Sequence, residues 1–326
     1  MSAHIPVALV LAAGLGLAGV LAQQTPDTIE GHRAAAKAAA GSEHAGLLST
    51  VCPPPPPAVG GAAARDAAPQ ARQTPPREQW YAEPVKVFDN LYFVGQTEYS
   101  AWAVNTSDGI ILIDTIFDYS VEAEIVEGLK KLGLDPSKIK YAIVSHGHGD
   151  HSGGAKYLQD RFGTRIIMGA PDWEMVARNP RDPAPKRDIV ASDGQKLTLG
   201  DTTLTLYLTP GHTPGTISTL IPVKDNGRPH LMAAWGGTAF NFRHTPENFR
   251  IYIESAQRFR DVVAKAGADG VVANHTNFDG TKQKVPALAK RAAGAPHPYV
   301  IGTAAVQRYL TVAEECAKAA LLELAP

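Results

Sequence analysis

Cysteine is scarce in this sequence: the chain of 326 residues has 2, Cys52 and Cys316. Two thiols exclude a disulfide scaffold and a thiolate-rich zinc site. Net charge is also nearly absent, with 31 Lys+Arg against 32 Asp+Glu. That balance argues against a protein that works by coating nucleic acid or anionic lipid. What is present is ample apolar material, 44%, which excludes a chain disordered throughout. The length allows one large domain or two ordinary ones. There are also 11 His. Any metal chemistry must therefore use imidazole and carboxylate, so the placing of those His comes first.

The N-terminus reads as an export signal. Residues 5–22 are apolar and uncharged and end with small residues at Val20 and Ala22, the positions a signal peptidase reads. A signal peptide over 1–22 implies a periplasmic or secreted protein with no stable membrane partner after cleavage. The competing reading is an uncleaved anchor, because such a run is near the lower limit for a span. No Cys directly follows it, so a lipoprotein signal is not expected. Residues 23–79 differ in texture, with five consecutive prolines at Pro53 to Pro57. The prolines favour polyproline II. Residues 30–40 are Ala-rich and can form a helix, but Ala, Gly and Pro bury little surface against their ordering entropy. The segment is expected to be a linker or loosely docked arm. An oxidising compartment permits a Cys52–Cys316 disulfide, but a flexible partner argues against it.

From Trp80 onward β-branched and alternating residues set in. Strands are expected at 85–88, 91–94, 101–104, 109–114 and 139–144. Further strands are expected at 203–208, 216–223, 231–235 and 270–273. Helices are expected at 121–132, after Gly153-Gly154 through 162, at 246–266 with Pro at its start, at 285–293 and at 303–324. The order implies two similar halves, each a sheet with covering helices, in one layered domain over 80–326.

The decisive segment is Ser145-His146-Gly147-His148-Gly149-Asp150-His151-Ser152-Gly153-Gly154. It follows an apolar strand and precedes a helix. Three imidazoles and a carboxylate so close together have no ordinary structural use, since unpaired polar groups are costly to bury. The interleaved glycines let alternate side chains address different centres. Zinc accepts both donor types. His212, in Thr209-Pro210-Gly211-His212-Thr213-Pro214-Gly215, and His275, at the end of 270–273, are further ligand candidates.

These motifs resemble the metallo-β-lactamase superfamily over about residues 80–279, and most closely the class B β-lactamases of the third subclass. The resemblance implies a four-layer αββα sandwich with two similar halves. It implies two zinc ions, one on His146, His148 and His212, the other on Asp150, His151 and His275. It casts Asp150 as catalytic, orienting an activated water that attacks a carbonyl carbon. It casts Asp114 as the carboxylate that orients a ligating imidazole; read by itself, Asp114 is equally a turn cap. Where many relatives carry a bridging Asp or a Cys ligand, this chain has Gly237. That departure argues against a glyoxalase-like hydrolase and agrees with the third subclass.

The substrate is expected to be a small molecule, not nucleic acid. Tyr99 and Trp102 follow a turn that can overhang the site, and Thr238 and Asn241, next to Gly237, can hydrogen-bond a substrate carboxylate. Trp235, Phe240 and Phe242 serve either as contacts or as core. Serines tend to hold that carboxylate in the related β-lactamases, and this chain has none between Ser218 and Ser255. The leading expectation is an exported zinc hydrolase opening a cyclic amide. Hydrolysis of a lactone or thioester is the alternative, and a non-catalytic metal-binding envelope protein is the alternative of another class. A nuclease is disfavoured by charge and export, and a di-iron relative by His148, where a carboxylate is usual. The oligomeric state is left open.

Overall fold

A computed structural model of the chain describes Met1 and residues 26–53, 74–179 and 182–325. The expected signal and Pro54 to Pro57 lie outside the described residues. The chain starts with two helices, α1 (Ile29–Ala40) and α2 (Ala45–Val51). Four antiparallel strands follow: β1 (Val85–Lys86), β2 (Leu91–Phe93), β3 (Trp102–Thr106) and β4 (Gly109–Ile113). A π-helical turn (Glu122–Val126) leads into α3 (Glu127–Lys131). Next come β5 (Ile139–Ile143), α4 (Gly149–Ser152), α5 (Ala155–Phe162), β6 (Arg165–Met168), α6 (Ala170–Arg178) and β7 (Ile189–Val190). The strands β4 to β7 are mutually parallel and complete a seven-stranded sheet in sequence order.

The second sheet has five strands: β8 (Gln195–Leu199), β9 (Thr202–Leu208), β10 (Ile217–Asp225), β11 (Arg228–Trp235) and β12 (Gly270–Ala273). Its pairs are antiparallel except β11 with β12, which needs the crossover helix α7 (Pro246–Ala266). The chain closes with α8 (Thr281–Ala289) and α9 (Thr303–Leu322). The helix α7 has the bounds its sequence predicts. Pro246 sits where its missing N–H costs least, the Thr245 side chain caps Asn248 N, and Gly267 ends it at a φ of 72°.

Three apolar clusters make the layers. Ile111 and Ile113 of β4 face Leu206, Ile217 and Met232 between the sheets, whereas Ile110 and Leu112 face Ile125, Leu129 and Leu158 under the helices. A strand buried on both faces reads as a continuous apolar run, as in Gly109-Ile110-Ile111-Leu112-Ile113. The third cluster sets Leu220, Trp235 and Val271 against Phe249, Tyr252, Phe259 and Tyr309. The architecture is thus the expected four-layer αββα sandwich, its halves carrying seven and five strands.

The N-terminal segment corrects the sequence expectation. Residues 26–53 are not a loose arm, because α1 and α2 pack on α9. Ala36, Ala39 and Ala40 are buried, with His32 on the same face. Small side chains bury little area each, but they let two helices approach closely, a gain that composition alone does not reveal. His32 Nδ1 meets Glu315 Oε2 at 2.7 Å, and Arg33 pairs with Glu323. The Cys52–Cys316 disulfide, not expected from a flexible arm, is formed, with Cα atoms 5.4 Å apart. Among the described residues no helix is long and apolar enough to cross a membrane.

Candidate metal centre

The carboxyl ends of β4, β5, β9 and β12 converge on one edge of the sandwich, and each delivers a polar side chain there. The loop after β5 carries His146 and His148, and α4 carries Asp150 and His151. The β9–β10 loop carries His212, and His275 follows β12. A hydrogen bond from Ile217 N to Ser145 O, 2.8 Å, ties the two halves together beside the site. Gly154 permits the approach of α5 to the β4 loop, since a Cβ there would lie 2.3 Å from Thr115 O.

Two triads form, each able to hold a metal ion: His146, His148 and His212, and Asp150, His151 and His275. In the first, His212 Nε2 lies 3.1 Å from His146 Nε2 and 3.1 Å from His148 Nδ1. The far nitrogens settle the tautomers. His146 Nδ1 donates to Gly236 O at 2.8 Å, and His212 Nδ1 donates to Ala239 O at 2.5 Å. Carbonyls only accept, so both Nδ1 atoms carry the proton and both Nε2 atoms present lone pairs to each other. A second proton is opposed. Burial, and then His148, push His212 down to about 4, and burial pushes His146 well below its ordinary value. Converging lone pairs on neutral rings are a donor set made for a cation.

The second triad is built around a carboxylate. Asp150 Oδ2 lies 3.2 Å from His151 Nε2 and 3.5 Å from His275 Nε2. The His151 Nε2 atom is buried and not aligned for a hydrogen bond, despite that short distance. Burial alone would lower His151, but Asp150 and Asp114 outweigh it and raise it to about 10. Burial pushes Asp150 up, and His151 and His275 more than reverse that, holding it well below the carboxylate range. Burial and His151 lower His275 to about 3. An anion between two imidazoles, with a second carboxylate behind, suits a cation equally well.

Asp114 sits behind His151, as the resemblance implies. Its Oδ2 accepts from His151 Nδ1 and Ser145 Oγ, both at 2.9 Å, and its Oδ1 accepts from Ser145 N at 2.7 Å. Asp114 and Ile116 both have positive φ, 63° and 50°. Such a turn is strained for a β-branched residue. Hydrogen bonds from Thr115 N and Oγ1 to His151 O, both 2.8 Å, hold it in place.

The expected substrate contacts divide. Tyr99 stands at the site: it bridges to His275, and its ring lies 5.0 Å edge-on from the imidazole. Asn241 is exposed on the loop beyond Ala239. Gly237 abuts the site with no room for a side chain, because a Cβ would lie 2.4 Å from His212 Cβ. Trp102 is a correction. It is 1% exposed, and its Nε1 donates to Ala273 O at 2.9 Å, because strand parity turns it between the sheets. Thr238 is a second correction. It is buried, and its carbonyl accepts the Tyr252 hydroxyl at 2.8 Å on the helix side. Trp235, Phe240 and Phe242 pack with the α7 cluster.

Sequence reasoning misses Asp172, in the first turn of α6. Its buried carboxylate accepts from Gly147 N (2.7 Å), Thr213 Oγ1 (2.7 Å) and Gly215 N (2.9 Å). It thereby ties the His146–His148 loop to the His212 loop. The only sequence signal is an Asp near a helix start directly after an apolar strand. The remaining described His are structural: His44 meets Ala305 O, His230 meets Asp269, His244 meets Phe240 O and His297 meets Val87 O.

Comparison with known proteins agrees with this geometry. A family model described as the metallo-beta-lactamase superfamily matches residues 94–225. The probable metallo-hydrolase YybB of Bacillus subtilis is 30% identical over 122 residues, covering 35% of this chain and 52% of that protein. An N-acyl homoserine lactonase of a Bacillus species is 31% identical over 152 residues, covering 44% and 59%. The chain thus spans about half the length of the curated relatives it matches. Among solved structures it is similar to BJP-1, a subclass B3 metallo-beta-lactamase of Bradyrhizobium japonicum. The identity is 27% and the TM-score 0.62, over 72% of this chain and 91% of that one. With αββα layers around them and two candidate metal triads beside them, residues 94–225 match a metallo-β-lactamase superfamily domain.

Proposed function

We propose that this protein is an exported, two-zinc hydrolase of the β-lactamase type that opens a cyclic amide. The observation that carries the reading is the closure of position 237. With no space for a side chain against His212, neither a bridging carboxylate nor a thiolate can enter from there. The donors are then imidazole and carboxylate alone, three to each ion, and a likeness to subclass B3 enzymes supports that arrangement. Three protein ligands leave an ion open to water or substrate.

Zinc held there supplies Lewis acidity and makes water acidic enough to attack at neutral pH. The chain's own groups do the rest. His146 and His212 are locked in one tautomer by Gly236 O and Ala239 O, so their lone pairs are aimed before any ion arrives. Asp114 does the same for His151. Asp150, with 20% of its side chain exposed, faces the opening and orients the attacking water. Tyr99 walls the His275 side. Export rests on the apolar residues 5–22, with the Cys52–Cys316 pairing in support, since disulfides persist in oxidising compartments.

A second reading, hydrolysis of a lactone, draws on the 31%-identical homoserine lactonases. The test is a panel of a penicillin, a carbapenem and an acyl-lactone, given to zinc-loaded protein with metal content measured alongside. Carbapenem and penicillin turnover is expected. Turnover of the lactone alone replaces the first reading with the second, and a zinc-loaded protein that turns over none of the three overturns both. Sequencing the N-terminus of mature protein tests export, with cleavage expected after residue 22.

A further inference from the structure

We infer that the N-terminal helices position the second metal triad: α2, locked to α9 by the Cys52–Cys316 disulfide, clamps the loop that carries His275. The inference rests on the two-triad reading of the site and goes beyond it, since neither triad takes a residue from 26–53. The three members of the second triad are held differently. Asp150 and His151 lie in α4, and Asp114 fixes His151 Nδ1 at 2.9 Å. His275 stands in a loop past the end of β12, with its ring 5.0 Å from Tyr99 and 4.8 Å from Phe278. That loop is anchored from two directions. Toward the 97–99 turn, Thr276 N donates to Glu98 O at 3.1 Å and Thr276 Oγ1 to Thr97 O at 2.7 Å. Toward α2, Asn277 Nδ2 donates to Gly46 O and to Thr50 Oγ1, both at 3.2 Å.

Gly46 is what lets helix and loop meet, because a Cβ there would lie 2.1 Å from Asn277 O. The next residue, Phe278, is buried in the same apolar cluster as Leu47, Val51 and Cys316, and its N–H donates to His275 O at 3.1 Å. A displacement of α2 therefore reaches His275 through both the ring contact and the turn. The disulfide keeps α2 in place. Seven residues make α2 too short to be stable alone, and Cys52 at its C-terminal end is bonded to the buried Cys316 of α9. The first triad is outside this clamp, since Asp172 ties its two loops together. Opening the bond takes two electrons and two protons from an external dithiol, which becomes a disulfide as Cys52 and Cys316 become thiols. The hold on the second ion is thereby tied to redox state.

The test compares full-length wild type with two variants in a chelator competition that resolves the two zinc affinities, with the His275 ring followed by proton–nitrogen NMR. Gly46→Ala puts a methyl group against Asn277 O. The double variant Cys52→Ser, Cys316→Ser removes the bond without leaving a thiol to bind zinc, and keeps the test open if the first does not fold. Each is expected to weaken the second triad at least tenfold and to shift the His275 signals, with the first triad changed less than threefold. Equal weakening of both triads, or a second triad unchanged in either folded variant, overturns the clamp. Wild-type protein that takes up no zinc overturns the clamp together with the metal centre. Selective loss at the second triad in a protein that hydrolyses none of the panel substrates sustains the clamp while overturning the hydrolase reading.

Discussion

Replacing Asp172 separates a role in holding the metal loops from a role in general packing. Asp172→Ala removes the acceptor of three buried hydrogen bonds, from Gly147 N, Thr213 Oγ1 and Gly215 N. The Thr213 hydroxyl can turn to Thr216 Oγ1, 2.8 Å away, so two backbone N–H groups are left without a partner. Each orphaned buried donor costs about 1–3 kcal/mol, so the loss is about 2–6 kcal/mol, reduced where water enters the vacated space. For a chain of this size that lowers Tm by roughly 5–15 °C. The consequence for metal is directional. Gly147 lies between His146 and His148, and Thr213 adjoins His212, so the first triad loosens. Groups of this kind are worth about 10- to 100-fold in metal affinity. The second triad is fixed instead by Asp114 and should change less than about threefold. Asp172→Asn, which retains one acceptor and turns an NH₂ toward a donor, should fall between. The assay is a chelator competition that resolves the two zinc affinities, run beside thermal unfolding. A Tm drop with both affinities unchanged, or with both reduced equally, refutes the coupling argument.

Four other outcomes follow from the structure. His148→Ala should abolish binding at the first triad and cut hydrolysis at least 100-fold, whereas unchanged turnover would contradict the enzyme reading. Zinc at a thousand times its Kd should stabilise the native protein by about 4 kcal/mol, read as a Tm shift on adding a chelator. Burial raises Glu124 to about 8, against a smaller opposing effect of its hydrogen bond from Ala82 N. The folded state therefore binds that proton more tightly than the unfolded one. The stability from this group is full below pH 4.5 and lost as pH rises through 8, at about 1.4 kcal/mol per unit. Glu124→Gln should flatten the fall of Tm between pH 5 and 8.5, and parallel curves would contradict this. Cys52→Ser should lower stability by up to about 5 kcal/mol, because the disulfide closes a separation of 264 residues. It should also raise hydrogen exchange in α1 and α2; unaltered exchange would mean that the helix contacts alone hold them.

What could be read in advance depended on how local each feature is. The His146–His151 loop concentrates its donors within six residues, so spacing alone announces a metal site. The helix α7 carries its own start and stop signals at Thr245, Pro246 and Gly267. The strand β6, the helix α6 and the short strands β7 and β8 went unexpected. Their sequences are brief and weakly periodic; β6 and β7 are placed by parallel pairing across intervening helices, and β8 by a hairpin with the adjoining β9.

The sequence by itself determined the donor chemistry. With two Cys and clustered His, any ion here had to meet nitrogen and oxygen, and the strand-end positions of those His followed from local pattern. Only the tertiary structure decided which groups meet. Asp172 reaches loops 25 and 41 residues away, and Cys52 reaches Cys316 across 264 residues. Trp102 turns to the core although it stands near the site in sequence. The reason is physical: side-chain identity and short-range geometry are written residue by residue. Contacts between remote segments exist only once two sheets and their helices have packed and excluded every other arrangement.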